Sequence, residues 1–136
     1  MQTRQQKRAE KAYRCVSGKM SSKDVDEYLR LAKSFPALVH TCGLVQAIAY
    51  VHAKDNKART GETYLDHLSG VMVIDLLENT TLEDKSRKAD LMEYQFLSLE
   101  AIEAATWLKR YAEALLDSKS SGQPSGAETS PESRSL

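Results

Sequence analysis

Residues 98–116, SLEAIEAATWLKRYAEALL, decide the fold. At 3.6 residues per turn, Ala105, Leu108, Ala112 and Leu116 stack on one side, with Trp107, Tyr111 and Leu115 beside them. The charges Glu103, Lys109, Arg110 and Glu113 are confined to the remaining strip. A helix apolar over more than half its circumference needs several neighbours, or another subunit, to cover it. The stretch therefore predicts a helix at the centre of a bundle.

Working outward, residues 3–17 read as a first helix ended by Gly18, with Ala9, Ala12, Tyr13 and Val16 on one face. Ser21 or Ser22 is placed to cap a second helix, with Asp24 in its first turn and Val25, Tyr28, Leu29 and Ala32 as its buried stripe. Pro36 is expected to stop or kink that helix and open another, and Gly43 to interrupt the next segment. Residues 44–54 and 62–77 are helical in pattern, the latter with Leu65, Leu68, Met72 and Leu76 on one face. Residues 55–61 read as a polar loop, 78–88 as a charged connection, and 90–96 as a short helical piece ahead of the last helix. No segment alternates with period two between hairpin turns, so strands are not expected. The prediction is an all-α, single compact bundle of about five to six helices over residues 1–117. Residues 118–136, SKSSGQPSGAETSPESRSL, hold no apolar cluster to offset their ordering entropy and read as a disordered tail.

Nothing approaches the apolar run of about 18 residues that a membrane span needs. The charged N-terminus lacks the apolar core of a signal peptide, so a cytoplasmic protein is expected. Cys15 and Cys42 then act as small reduced hydrophobes. Formal net charge is zero, but residues 1–61 carry 12 Lys/Arg against 5 Asp/Glu, while 62–117 carry 5 against 12. If that asymmetry survives folding, it favours head-to-tail association of copies.

Read together with residues 35–50, FPALVHTCGLVQAIAY, the closing helix resembles a known family. A proline-led turn, a Gly-Leu break into a small-residue helix, and a closing E-A-x5-W-L-K-R-aromatic-A-E-A-L-L helix are similar to the small subunit of the type III-B CRISPR effector, the Cmr complex. Tyr13 and Tyr94 fit the same pattern, and the resemblance spans residues 4–117. It implies a non-catalytic structural subunit, stacked in several copies along crRNA and target RNA and bound to other Cmr proteins. It also implies that the Lys109–Arg110 pair after Trp-Leu is part of the family motif.

Enzymatic motifs are absent: there is no P-loop, dinucleotide glycine motif, HExxH or nucleophile elbow. His40, His52 and His67 lack ligand spacing, and Glu62 with Asp66 reads as a solvated edge. No catalytic residue, metal or cofactor is predicted. A basic stripe is present instead. Arg4, Lys7, Arg8, Lys11 and Arg14 fall at i, i+3, i+4, i+7 and i+10 on the face opposite the apolar one. Like charges at such spacing repel by a few tenths of a kcal/mol per pair. The residues alone leave two readings open, an external phosphate or a solvated face, and the resemblance favours the first. Lys54, Lys57 and Arg59 form a loop-borne basic cluster. Lys109 and Arg110 form a third, with an internal salt bridge to Glu113 as the competing reading. Trp107 and Tyr111 are candidates for a subunit interface. The alternative function is a small helical adaptor that binds protein alone through that aromatic face; a metal-dependent nuclease has less support.

Overall fold

The computed structural model describes residues 1–72 and 77–117. Its six helices are α1 (Arg4–Ser17), α2 (Val25–Cys42), α3 (Leu44–Ala53), α4 (Thr60–Met72), α5 (Leu82–Lys88) and α6 (Leu91–Leu115). No strand occurs among the described residues, as the lack of period-two alternation predicts. None of their helices is long and apolar enough to cross a membrane. Leu76 and the expected tail, residues 118–136, lie outside the described residues.

α6 is the centre of the bundle, in contact with α1, α2 and α4. Its predicted dry face is buried: Ala105, Leu108, Ala112 and Leu116 are all within 5% of complete burial. The helix is longer than its sequence pattern suggests. It runs unbroken for 25 residues from Leu91, because Asp90 caps it by accepting from Glu93 N–H at 2.9 Å. The separate piece expected at 90–96 is therefore its first turns. No helix-breaking residue lies between them, and buried Leu97 ties them to the core.

α2 likewise continues through Pro36, where the sequence predicts a stop or kink and a new helix. Proline costs an interior helix about 3 kcal/mol. Tyr28, Ala32, Phe35 and Val39, spaced i, i+4, i+7 and i+11, bury one uninterrupted stripe across it. That burial outweighs the lost bond. The break comes at Gly43, whose φ of 86° suits glycine. There the Tyr94 hydroxyl of α6 accepts from Val45 N–H at 3.2 Å, satisfying a free donor at the start of α3.

Asp55 begins the next connection and caps α4, accepting from Gly61 N–H at 2.7 Å and Glu62 N–H at 3.1 Å. Gly61 is required by space: a Cβ there would stand 2.8 Å from Val51 Cγ1 and 3.0 Å from Asp55 Oδ1. α5 stands where the sequence suggests an aperiodic connection. Its seven residues bury only Leu82 and Ser86, too few to show a period. The helix ends are well matched, with the Thr81 hydroxyl on Asp84 N–H, Glu83 and Asp84 at the start, and Lys85, Arg87 and Lys88 at the finish.

The buried hydrophobics form one cluster, in which Tyr28 meets Tyr64 edge-on at 5.8 Å and Phe35 packs on Tyr64 at 5.3 Å. Asp24, rather than Ser21 or Ser22, stands at the N-cap of α2, but its side chain does not cap the helix. Its carboxylate accepts from Lys19 Nζ at 2.7 Å, from Thr60 Oγ1 at 2.6 Å and from the Ser22 hydroxyl. It thereby ties the α1–α2 connection to the start of α4.

Candidate nucleic-acid interface

α1 lies against α6 with the two helices running in the same direction. Arg4 and Arg8 meet Glu100, Gln5 meets Trp107, and Tyr13 meets Tyr111. This docking sorts the predicted basic stripe. Arg8 falls out of it, buried at 7% exposure with its guanidinium 2.7 Å from the buried Glu100 carboxylate. Arg8, Ala12 and Val16 form an i, i+4, i+8 line into the core, so Arg8 sits on the inner edge of the helix, not on its outer face. An unpaired guanidinium would be excluded there, and Glu100 makes the position tolerable.

The other four cations of α1 are exposed. Arg4 also reaches Glu100, at 3.1 Å, and Arg14 pairs with Glu10 one turn back at 2.9 Å. Lys7 and Lys11 form no ion pair among the described residues. Lys11 stretches across α4, where a Cβ on Gly70 would come within 3.4 Å of its Cε. Gly70 also lines a cleft of about 470 Å³ rimmed by His52, Glu62, Asp66, Glu78 and Glu83. At Lys11 the basic strip thus borders the acidic rim of that cleft. His52 and Glu83 are joined across this cleft at 3.1 Å.

The loop cluster is exposed but partly engaged. Arg59, at φ 59°, pairs with Glu62 at 2.8 Å, and Lys54 lies over the Tyr50 ring at 6.0 Å. Lys57 is exposed without a recorded partner among the described residues. Asp55, in the same loop, holds the segment in shape. Burial works to raise its carboxyl, but backbone donors from Gly61, Asn56 and Glu62 outweigh this and lower it.

On α6, the salt bridge to Glu113 that competed for Lys109 and Arg110 does not form. Arg110 lies over the Trp107 ring at 5.7 Å, and Lys109 makes no ion pair among the described residues. Trp107 is half-buried, stacked on Tyr111 at 6.0 Å, with its Nε1 donating to Gln5 Oε1 at 2.7 Å. Trp107 and Tyr111 thus fasten α1 to α6, and only part of either ring is available to a partner. The larger exposed apolar surface is elsewhere: Leu91, Met92, Phe96 and Leu99 on the first turns of α6. The sequence hides it, because those turns read as a separate short piece.

The family model for the CRISPR-associated protein Cas_Cmr5 matches residues 4–115. This chain belongs to the Cas_Cmr5 family. A Thermus thermophilus protein described as the CRISPR system Cmr subunit Cmr5 is 36% identical over 118 residues, covering 86% of this chain and 99% of its own. The X-ray crystal structure of a CRISPR-associated Cmr5 family protein from the same organism matches with a TM-score of 0.75 at 35% identity. That match covers 86% of this chain and 100% of the crystallised one. The Cas_Cmr5 match begins at Arg4, the first residue of α1, and ends at Leu115, the last of α6, so the family unit coincides with the six-helix body.

Proposed function

We propose that this Cas_Cmr5 chain is a non-catalytic structural subunit of a type III-B CRISPR Cmr effector, bound to other Cmr proteins and stacked head to tail along crRNA and target RNA. The observation that carries the reading is the family match over residues 4–115 joined to an exposed basic strip, Arg4, Lys7, Lys11 and Arg14, on α1. Lysine and arginine at such spacing bind phosphates, which gives affinity without base selection. Lys109 and Arg110, free of Glu113, extend the set on α6, and Lys54, Lys57 and Arg59 supply a loop contact. Arg8 is excluded because Glu100 already holds it.

Salt-dependent binding to single-stranded RNA tests this. Each phosphate neutralised contributes about 0.7 to the log–log slope on a single strand, so three contacts from Lys7, Lys11 and Arg14 give about 2. Reversing those three to Glu should collapse the slope while leaving helicity intact. Lys109→Ala/Arg110→Ala should lower it by about 1.4 if both touch phosphate. A wild-type chain that enters the Cmr complex but binds no RNA at low salt would sink the nucleic-acid part and leave the adaptor reading.

A further inference from the structure

Between α2 and the end of α3 lies a cavity of about 270 Å³ that no residue of α1 or α6 lines. Arg30 and Ser34, one turn apart on α2, stand on one side of it, and Tyr50 of α3 with Lys54 at its C-cap on the other. Its apolar lining is the inner part, with Val51 and Gly61 buried and Leu31 half-buried. Tyr50 is the one aromatic ring of the lining, and it is 52% exposed. The polar lining is one-sided. Its acceptors are largely committed: Glu27 holds Arg30, Asp55 holds the backbone N–H groups of Asn56, Gly61 and Glu62, and Asn56 Oδ1 accepts from the N–H and hydroxyl of Thr60. Its donors are not. The Lys54 ammonium, the Asn56 side-chain NH₂ and the other two guanidinium nitrogens of Arg30 donate to no acceptor among the described residues. The cavity thus offers an aromatic face and free donors to a flat ligand rich in acceptors.

We propose that this cavity takes one unstacked base of single-stranded RNA, stacked on Tyr50, bonded at its edge by Asn56 and Arg30, and held at the adjoining phosphate by Lys54. Unstacked bases of single strands stack on tyrosine rings and are hydrogen-bonded along their edges, while a neighbouring cation follows the backbone. Lys54 Nζ stands 6.0 Å from the Tyr50 ring, so the cation and the stacking face act at one place. Exposed Lys57, three residues on, belongs to the same loop-borne cluster. The size fits as well. Sites for whole small molecules occupy about 300–1,000 Å³, and this cavity falls just below that range, enough for a base and not for a larger ligand. The inference rests on the reading of the chain as an RNA-backbone subunit. It adds a contact to the base itself, which the basic strip on α1 does not supply.

Anisotropy titrations of the full chain with single-stranded RNA, and with an abasic strand of the same length and sugar–phosphate backbone, test the site. The wild type should bind the base-bearing strand about 5- to 150-fold more tightly, the effect of one stacked base. Tyr50→Ala should remove that preference and leave the log–log salt slope unchanged, since a neutral ring releases no counterions. Tyr50→Phe, which keeps the ring face, should retain the preference. The thermal midpoint of either variant should stay close to that of the wild type, because Tyr50 is half exposed. Equal wild-type affinity for the two strands, or a Tyr50→Ala chain that still prefers bases, would overturn the proposal and leave the salt-dependent backbone contact standing. A chain that binds neither strand would overturn it together with the nucleic-acid reading. A Tyr50→Ala chain that binds both strands as the wild type does, but no longer enters the Cmr complex, would overturn it and assign the cavity to a protein partner.

Discussion

Lys7 and Arg8 are adjacent in the sequence and have opposite fates. One is exposed on the outer face of α1; the other is buried and held by Glu100 from a helix 92 residues away. Removing one partner of a buried ion pair strands the other's charge, at a cost of about 3–5 kcal/mol. Arg8→Ala should therefore lower unfolding stability by about 3 kcal/mol in urea titration, because Arg4 still offers Glu100 partial compensation. Lys7→Ala should stay within about 0.5 kcal/mol. Equal effects would mean that the pair does not hold α1 in place. Arg8 is the least legible part of the candidate site. Helical spacing puts it within reach of both the basic strip and the core line, and only the position of Glu100 settles which it joins. Lys7, Lys11 and Arg14 are readable because the apolar line of Ala12 and Val16 leaves them outside.

At the scale of elements, periodicity serves long helices well and short or interrupted ones poorly. The inner stripe of α6 is readable from four stacked residues, whereas α5 offers one buried aliphatic side chain and no repeat. Pro36 misleads because its local penalty is visible in the sequence and the long-range burial that overrides it is not. Where elements join, the structure makes two sharp expectations. Gly61→Ala forces a methyl group against Val51 and Asp55 at the start of α4 and should cost about 1–3 kcal/mol, the range for overpacking a tight site. A neutral result in denaturant titration would show that α4 can shift.

Asp24 gives the second. Burial raises its carboxyl, but bonds from Lys19, Ser22 and Thr60 outweigh this and hold it well below the usual carboxylate range. A folded value below the unfolded one, about 3.9, means that its contribution is complete above that pH and is lost as acid protonates the folded form. Stability followed by denaturant midpoint should therefore fall below about pH 4, and Asp24→Asn should be less stable at neutral pH with a shallower acid slope. His67 adds a milder window. Burial and Lys19 lower its folded value, against a smaller opposing pull from Asp66, so its contribution fades as pH falls below about 6.5.

For the whole molecule, the charge asymmetry between residues 1–61 and 62–117 does not survive as two separate poles, because Arg4 and Arg8 of α1 pair with Glu100 of α6 and Arg59 pairs with Glu62. Long-range pairing of helices sets that arrangement, which a linear count of charges does not encode. The segment after α6 bears on the body in another way. Residues 118–136 are rich in Ser, Gly and Pro and carry no apolar cluster. Their removal should leave the thermal midpoint of the body unchanged; a loss above about 1 kcal/mol would show that they dock.

The parallel seating of α1 on α6 has a consequence for how the chain is made. Gln5 bonds Trp107 across 102 residues, and Arg8 bonds Glu100 across 92. At a synthesis rate of about 5–20 residues per second, the first helix waits roughly 5–20 s before its partner exists. During that interval Ala12 and Val16 have no α6 to cover them, and the Arg8 guanidinium stays in water. The part of the core between α1 and α6 can therefore close only after the last helix has been made, whereas the contacts of α1 with α4 and of α2 with α3 and α4 need no such wait.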